Sequence, residues 1–278
     1  MTKTSVSTLN KRRLLARYFP LGMAVAELAA VLLMMTGSRA VGLTIGLIVF
    51  IGGIFLKSRI KKSYTEACCR AQTMTALGLT EAEYLGENKM SAEWLQQTHL
   101  LPASAVVTQP LVLHGIQGNM RGTQLWLGEM TFGCQESGKK AATYSSGVLV
   151  RVPLAHAAAE KALFLGKYAF KHAALRAEYE KDGMRLSPAG GKEKGWYALT
   201  PGAVSPSDLL CEKWEAVCAA AKQRAALYVG EGELDAFFNG QFYTGEFALE
   251  EELTESTLRK HSFAAVVPLM ELAEYVKE

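Results

Sequence analysis

Two apolar runs separated by a three-residue turn dominate the N-terminal part of the chain. Tyr18–Thr36 is interrupted only by Glu27, and Ala40–Leu56 is 17 residues with Thr44 as its one polar side chain. At 1.5 Å per residue the second run covers about 25 Å, close to the hydrocarbon thickness of a bilayer. The first run follows a basic segment, as a signal peptide would. No small-x-small cleavage site closes it, however, and a second apolar run follows at once. With Gly37-Ser38-Arg39 as the turn, the pattern predicts a transmembrane helical hairpin over residues 18–57.

Charge gives the hairpin a direction. Lys11, Arg12, Arg13 and Arg17 precede the first run, Lys57, Arg59, Lys61 and Lys62 follow the second, and only Arg39 lies in the turn. By the positive-inside rule both ends are expected to be cytoplasmic. Residues 1–62 hold ten Lys/Arg against one acid, a net +9, which leaves the rest with 20 bases and 26 acids. The larger part is thus mildly acidic, which argues against nucleic acid as a partner, because phosphate neutralisation needs a basic face. Lys57, Arg59, Lys61 and Lys62 are also placed to meet anionic lipid headgroups; a topology signal alone accounts for them equally well.

Glu27 is the anomaly. A carboxylate at mid-bilayer costs about 2.5–3.5 kcal/mol on insertion scales. Folding the chain about residue 38 sets Glu27 opposite Val49, among Ile48, Phe50 and Gly52-Gly53, with no hydrogen-bonding side chain. Contact with another chain, protonation in place and a transport role are the three accounts open to it. Gly42, Gly46 and Gly53 form one small-residue stripe and Gly22, Ala26 and Ala30 another. Such stripes let helices approach closely in lipid, within one chain or between copies. These seven residues are the candidate helix-packing and oligomer site.

Five cysteines, Cys68, Cys69, Cys134, Cys211 and Cys218, form no C-x-x-C pair and are odd in number, which suits a reducing compartment. Cys68-Cys69 reads either as a lipidation site near the membrane or as two buried thiols.

Beyond the hairpin, "SYTEACCRAQTMTAL" continues the second helix as a stalk. Thr80-Glu81-Ala82-Glu83 fits a capping box opening a short helix, and Ser91 caps "AEWLQQTH". After Pro102 the period changes to two. "AVVTQPLVLHGIQG", "TQLWLGEMTF" and "SGVLVRVPL" read as strands, with Gly118-Asn119 and Arg121-Gly122 as turn material. Residues 155–181 read as helix, or as strand followed by helix. "MRLS", "WYALT" and "AALYVG" read as strands. Ser205-Pro206-Ser207-Asp208 opens a helix with Leu210, Trp214, Val217 and Ala221 on one face. Asn239-Gly240 suits a type I′ hairpin, and a helix is expected from His261 to Val276.

No motif for chemistry stands up. "GCQESGKK", Gly133 to Lys140, has the spacing of a phosphate loop but carries Lys140 where Ser or Thr would hold magnesium, and a strand rather than a helix follows. His99, His114, His156, His172 and His261 share no ligand spacing with one another or with a Cys or Asp. Glu250, Glu251, Glu252 and Glu255 read as an exposed helix face. No catalytic residue, metal ligand or cofactor site is expected.

The order of the segments carries a resemblance. Two spans and a stalk lead to "MSAEWLQQTHLLP" and "LVLHGIQGNMRGTQLWLGEMTF", then "SGVLVRVPL", "WYALTPGAVSPSDLL" and "AALYVGEGELDAFF", and last an acidic helix. This resembles an uncharacterised family of bacterial inner-membrane proteins defined by a domain of unknown function. The sequence departs from it at 155–181, where Ala-rich text replaces a Phe-rich strand. The resemblance implies a bacterial inner membrane, a cytosolic domain and a LemA-type membrane protein as candidate partner, and carries over no catalytic residue.

The expected architecture is α+β: a basic N-terminus (1–17), a transmembrane helical hairpin (18–57), a helical stalk (58–103) and a largely antiparallel cytosolic domain (104–278). The expected role is that of a non-enzymatic membrane protein that forms homo-oligomers and binds another protein. A channel or transporter subunit using Glu27 is the alternative, and an enzyme acting on lipid or nucleotide is a third reading.

Overall fold

The computed structural model describes residues 5–79, 81–89, 92–120, 122–135, 141–154, 161–169, 173–189, 194–202, 212–230, 232–240, 249–260 and 266–275. The chain is α+β and divides into two compact units. One comprises Met1–Gln72 and Thr244–His261, the other Thr73–Tyr243 and Ser262–Glu278.

The first unit is built on two long helices, α1 (Val6–Met35) and α2 (Arg39–Leu77). Ser5 caps α1, its hydroxyl accepting from the Thr8 N–H. Gly37, at φ +107°, supplies the turn between them. Helix α2 runs on past the second apolar run, as the stalk text suggests, but helix ends at Leu77, where Gly78 at φ +62° terminates it.

The second unit is a nine-stranded sheet, antiparallel at every pairing: β1 (Glu81–Lys89), β2 (Val106–Met120), β3 (Thr123–Gln135), β4 (Thr143–Pro153), β5 (Ala162–Gly166), β6 (Met184–Pro188), β7 (Trp196–Pro201), β8 (Ala225–Gly230) and β9 (Glu233–Asn239). Their spatial order is β1-β2-β3-β4-β9-β8-β5-β7-β6. Both faces are apolar. Val148, Val150 and Val152 of β4 and Leu234, Ala236 and Phe238 of β9 join one core, while Leu149 and Phe237 join the other. This is the period of two in side-chain direction along a strand. In β2 the parity switches at the register shifts between Thr108 and His114, so Val112 faces the second core and Ile116 the first.

Helices α5 (Glu212–Ala221) and α7 (Val266–Tyr275) close the first core through Trp214, Val217, Ala221, Leu269 and Leu272. Leu95 of α3 (Ala92–Gln96), Leu100, Leu101, and Leu175 of α4 (Ala173–Lys181) close the second. A sheet covered on both sides explains why β8 is buried along its whole length and β9 nearly so.

Four expectations change. The capping-box text does not open a helix: Glu81–Lys89 is strand β1, pairing with β2 from Glu81↔Asn119 to Lys89↔Leu111. Ala82 packs into the core while Glu81, Glu83 and Leu85 are exposed, so period two overrides the local cap signal. The region 58–103 is therefore not helical throughout. Gly118 and Asn119 stay within β2, and the turn lies at Gly122, φ +84°, whose N–H donates to Asn119 Oδ1 at 2.9 Å. Asn239 has no positive φ and ends β9. Its N–H donates to the Arg224 carbonyl, and that of Gly240 to Ser146. Of residues 155–181, the described parts, 161–169 and 173–181, follow the strand-then-helix alternative as β5 and α4. Thr80, Ser91, Leu210, the 205–208 helix start, residues 241–248, residues 261–265 and Val276 lie outside the described residues.

Candidate functional site

Helices α1 and α2 are long and apolar enough to cross a membrane, by length and composition. Between Leu14 and Leu56 their large apolar side chains are mostly exposed, including Leu21, Val25, Leu28, Leu43, Leu47 and Phe55. The two helices touch through the glycine stripe. A Cβ at Gly46 would sit 3.6 Å from the Ala30 Cβ. A Cβ at Gly42 would stand 2.7 Å from the Met34 nitrogen and 2.8 Å from the Ala30 oxygen, and one at Gly53 would overlap the Met23 side chain. These pairs set Glu27 level with Val49, as folding about residue 38 suggests. Ala30 is buried in the contact, Ala26 and Glu27 are half-buried, and Gly22 is open, with nothing within 4 Å of an added Cβ. Among the described residues, Glu27 makes no hydrogen bond or ion pair.

A segment distant in sequence grips the other end of the hairpin. Asn10 Nδ2 donates to the Leu253 carbonyl at 2.8 Å, and the Leu253 N–H donates to Asn10 Oδ1 at 2.9 Å. Arg13 Nη1 donates to the Leu249 carbonyl at 2.9 Å and Arg17 Nη1 to that of Glu250 at 3.4 Å. Arg12 Nη1 bridges to the carbonyl and hydroxyl of Ser63, both at 3.4 Å, tying α1 to α2. Beneath these bonds lies a core of Leu9, Ala16, Tyr64, Cys68, Ala71, Leu253 and Leu258, the last in α6 (Glu255–Lys260).

Charged side chains bonded to backbone carbonyls are the expected solution where a loop of free acceptors meets two helices. Three of the four basic residues before the first run, Arg12, Arg13 and Arg17, thus hold the fold, and Arg13 is buried. Lys57, Arg59, Lys61 and Lys62 are all exposed. Cys68 and Cys69 are fully buried, as the thiol reading has it. Burial pushes the Cys68 thiol up to about 12 and raises the Tyr64 phenol. The acidic run is only partly helical, because Glu250–Glu252 precede α6; Glu251 and Glu252 are exposed.

The role of this return segment is not legible in the sequence. The one signal for it is the spacing of Leu249, Leu253 and Leu258 among acids.

The sheet unit carries two polar clusters. The Tyr84 hydroxyl and His114 Nδ1 lie 2.7 Å apart, and His114 is the register partner of buried Glu129. Nearer the centre, Arg151 of β4 faces Asp235 of β9, Nε to Oδ1 at 3.1 Å, and forms a close ion pair with Glu233. Asp235 is fully buried and neither carboxyl oxygen has a hydrogen-bond partner among the described residues. Burial pushes its carboxyl up to about 8, with Arg151 opposing and Glu233 adding to the rise. Arg151 also lies 5.0 Å over the Trp94 ring and donates through Nη2 to the Gln97 carbonyl at 3.4 Å.

His99 stacks on Tyr228 at 4.5 Å, with φ +56°. His156, His172 and His261 lie outside the described residues. Of "GCQESGKK", Gly133–Gln135 belongs to β3, 136–140 lies outside the described residues, and the next element is β4, a strand. Among the described residues no three His, Cys, Asp or Glu side chains gather as metal ligands.

Set against known protein families, functionally characterised proteins and solved structures, the chain matches none.

Proposed function

We propose that the chain is a non-enzymatic protein anchored in a bacterial inner membrane, of the uncharacterised family it resembles, with residues 18–57 as its transmembrane hairpin. It oligomerises through that hairpin and binds a partner protein, with a LemA-type membrane protein as candidate, on the cytosolic side. The observation that carries this reading is where the cover stops. The return segment bonds Asn10, Arg13 and Arg17 and packs on Tyr64, Cys68 and Ala71, while 18–57 remains clad in exposed apolar side chains. Free carbonyls and guanidinium groups are not tolerated against hydrocarbon, whereas bare Leu, Val and Phe are. A membrane boundary near Arg17 and Lys57 satisfies both.

Residues 249–258 belong to the chain between β9 and α7. The basic clusters at both helix ends support two cytoplasmic ends. Gly42, Gly46 and Gly53 are occupied by α1 of the same chain, so contact between copies falls to the Gly22 face and to Glu27, which has no partner among the described residues. The channel reading requires a polar lining, and the Thr44 hydroxyl already donates to the Ala40 carbonyl at 2.9 Å.

Crosslinking in native membranes tests the proposal. The wild-type chain is expected to form crosslinked multimers that Glu27→Leu weakens. A monomer in both cases would overturn the oligomer.

A further inference from the structure

We infer that Arg17, Lys57 and Lys61 form a seat for the phosphate of one anionic phospholipid, on the flank of the hairpin that the return segment grips. The inference rests on the membrane reading above and deepens it. Of the four exposed bases after the second run it selects two, leaves out Arg59 and Lys62, and adds Arg17 from α1.

Helix geometry makes the selection. Met34 meets Gly42, Ala30 meets Gly46 and Met23 meets Gly53, so each step down α1 is matched by one step up α2. The Arg12 bond to Ser63 keeps that pairing, to within one residue, at the basic end. It sets Arg17 level with Arg59, midway between Lys57 and Lys61, which stand one turn apart at about 6 Å. Around α2, at about 100° per residue, the line that faces α1 runs through Gly53, Ile60 and Tyr64. Lys57 and Lys61 fall on the flank of that line shared with Cys68, which belongs to one core with Leu253. Ser63 and Arg59 fall on the opposite flank, and Lys62 points away from α1. On α1, Asn10, Arg13 and Arg17 lie on the flank that bonds the return segment, while Arg12 reaches Ser63 on the other. Arg17, Lys57 and Lys61 therefore border one groove.

The groove lacks an anion of its own. Among the described residues none of the three bases forms an ion pair. Arg17 donates to a neutral acceptor, the Glu250 carbonyl, and the exposed Glu250, Glu251 and Glu252 side chains pair with none of the three. A guanidinium presents parallel N–H groups to phosphate oxygens and the two ammonium groups add point charges. Towards the turn, Leu21 and Leu28 of α1 and Phe50 and Ile54 of α2 lie on the same flank, all exposed. They give acyl chains a wall directly beyond the bases. A free phosphate ion would use the bases alone, whereas a phospholipid uses both, and this selects the lipid as occupant.

Native mass spectrometry of the full chain in detergent, offered phosphatidylglycerol or phosphatidylcholine, tests the seat. The wild type is expected to retain one phosphatidylglycerol in preference to phosphatidylcholine. Lys57→Gln with Lys61→Gln lowers that retention about 30-fold, the effect of two bases near an anionic surface. Arg59→Gln with Lys62→Gln removes the same charge from the same stretch of helix and leaves retention unchanged. All four positions are exposed, so folding tolerates either pair. Millimolar inorganic phosphate leaves the lipid in place. Equal loss in the two double variants, displacement by inorganic phosphate, or no preference for the anionic lipid overturns the seat while the anchor stands. A chain that stays in solution without detergent overturns the anchor, and the seat with it.

Discussion

Asn10 and Leu253, 243 positions apart, exchange two hydrogen bonds: the side-chain amide donates to the Leu253 carbonyl, and the Leu253 N–H donates back to the side-chain oxygen. One asparagine thereby satisfies both polar groups of a backbone residue in the return segment. It does so at the level where the helices leave their bare apolar stretch.

This pair is the first place to intervene. Asn10→Ala leaves a half-buried N–H and C=O without those partners, a loss of about 2 kcal/mol for the first unit. Cys68 and Cys69 report it. Fully buried, and with the Cys68 thiol raised to about 12, they are expected to resist maleimide in the wild-type chain at neutral pH. In Asn10→Ala the rate of labelling rises.

Three glycines separate packing within a chain from contact between copies. Gly42→Ala pushes a methyl against backbone atoms at 2.7 and 2.8 Å, and is expected to cost about 1–3 kcal/mol of hairpin packing. Gly46→Ala meets its neighbour at an ordinary 3.6 Å and should be nearly neutral. Gly22→Ala adds a Cβ with nothing within 4 Å of it in its own chain. It should leave thermal stability in detergent unchanged while altering the yield of crosslinked multimers.

Asp235 gives the sheet unit a definite pH dependence. An aspartate in the unfolded chain ionises near its ordinary value of about 3.9, whereas the folded one keeps its proton up to about 8. Between those values the folded state binds more protons, so stability falls as pH rises and levels off above about 8. Asp235→Asn removes that slope. Its melting temperature should exceed that of the wild type at pH 8, and the gap should close towards pH 4.

The exposed bases after the second apolar run give a lipid prediction. Replacing Lys57, Arg59, Lys61 and Lys62 together by Gln removes about 1 kcal/mol per base of attraction to an anionic surface. Co-purified anionic lipid should drop, and the same variant should lose its uniform orientation when expressed.

Legibility followed the range of the interactions. The hairpin, β2 to β4 and β8 are written in local periodicity, as with Val148, Val150 and Val152 alternating against Leu149. Strand β1 was obscured because Thr80 and Glu83 match a helix cap while Ala82 and Tyr84 match a strand, and only the long free edge of β2 decides between them. Turn chemistry at Asn239-Gly240 was overridden by the Arg224 and Ser146 carbonyls, which claim both N–H groups. The return segment and the Arg151–Asp235 pair lie beyond any local pattern. Asn10 is a polar residue in a basic stretch until Leu253 reaches it, and Asp235 sits in "LDAFF", which reads as an ordinary strand.

The central claim is that the chain folds back within a bilayer, with its turn on one face and both helix ends on the other. Cysteines at Ser38→Cys and Lys62→Cys, challenged with a membrane-impermeant maleimide on intact cells and again after permeabilisation, address it most directly, with the wild-type chain as blank. The account predicts that the turn position is labelled in intact cells and the Lys62 position only after permeabilisation. Equal labelling of both positions in intact cells, or a chain that stays in solution without detergent, would contradict it.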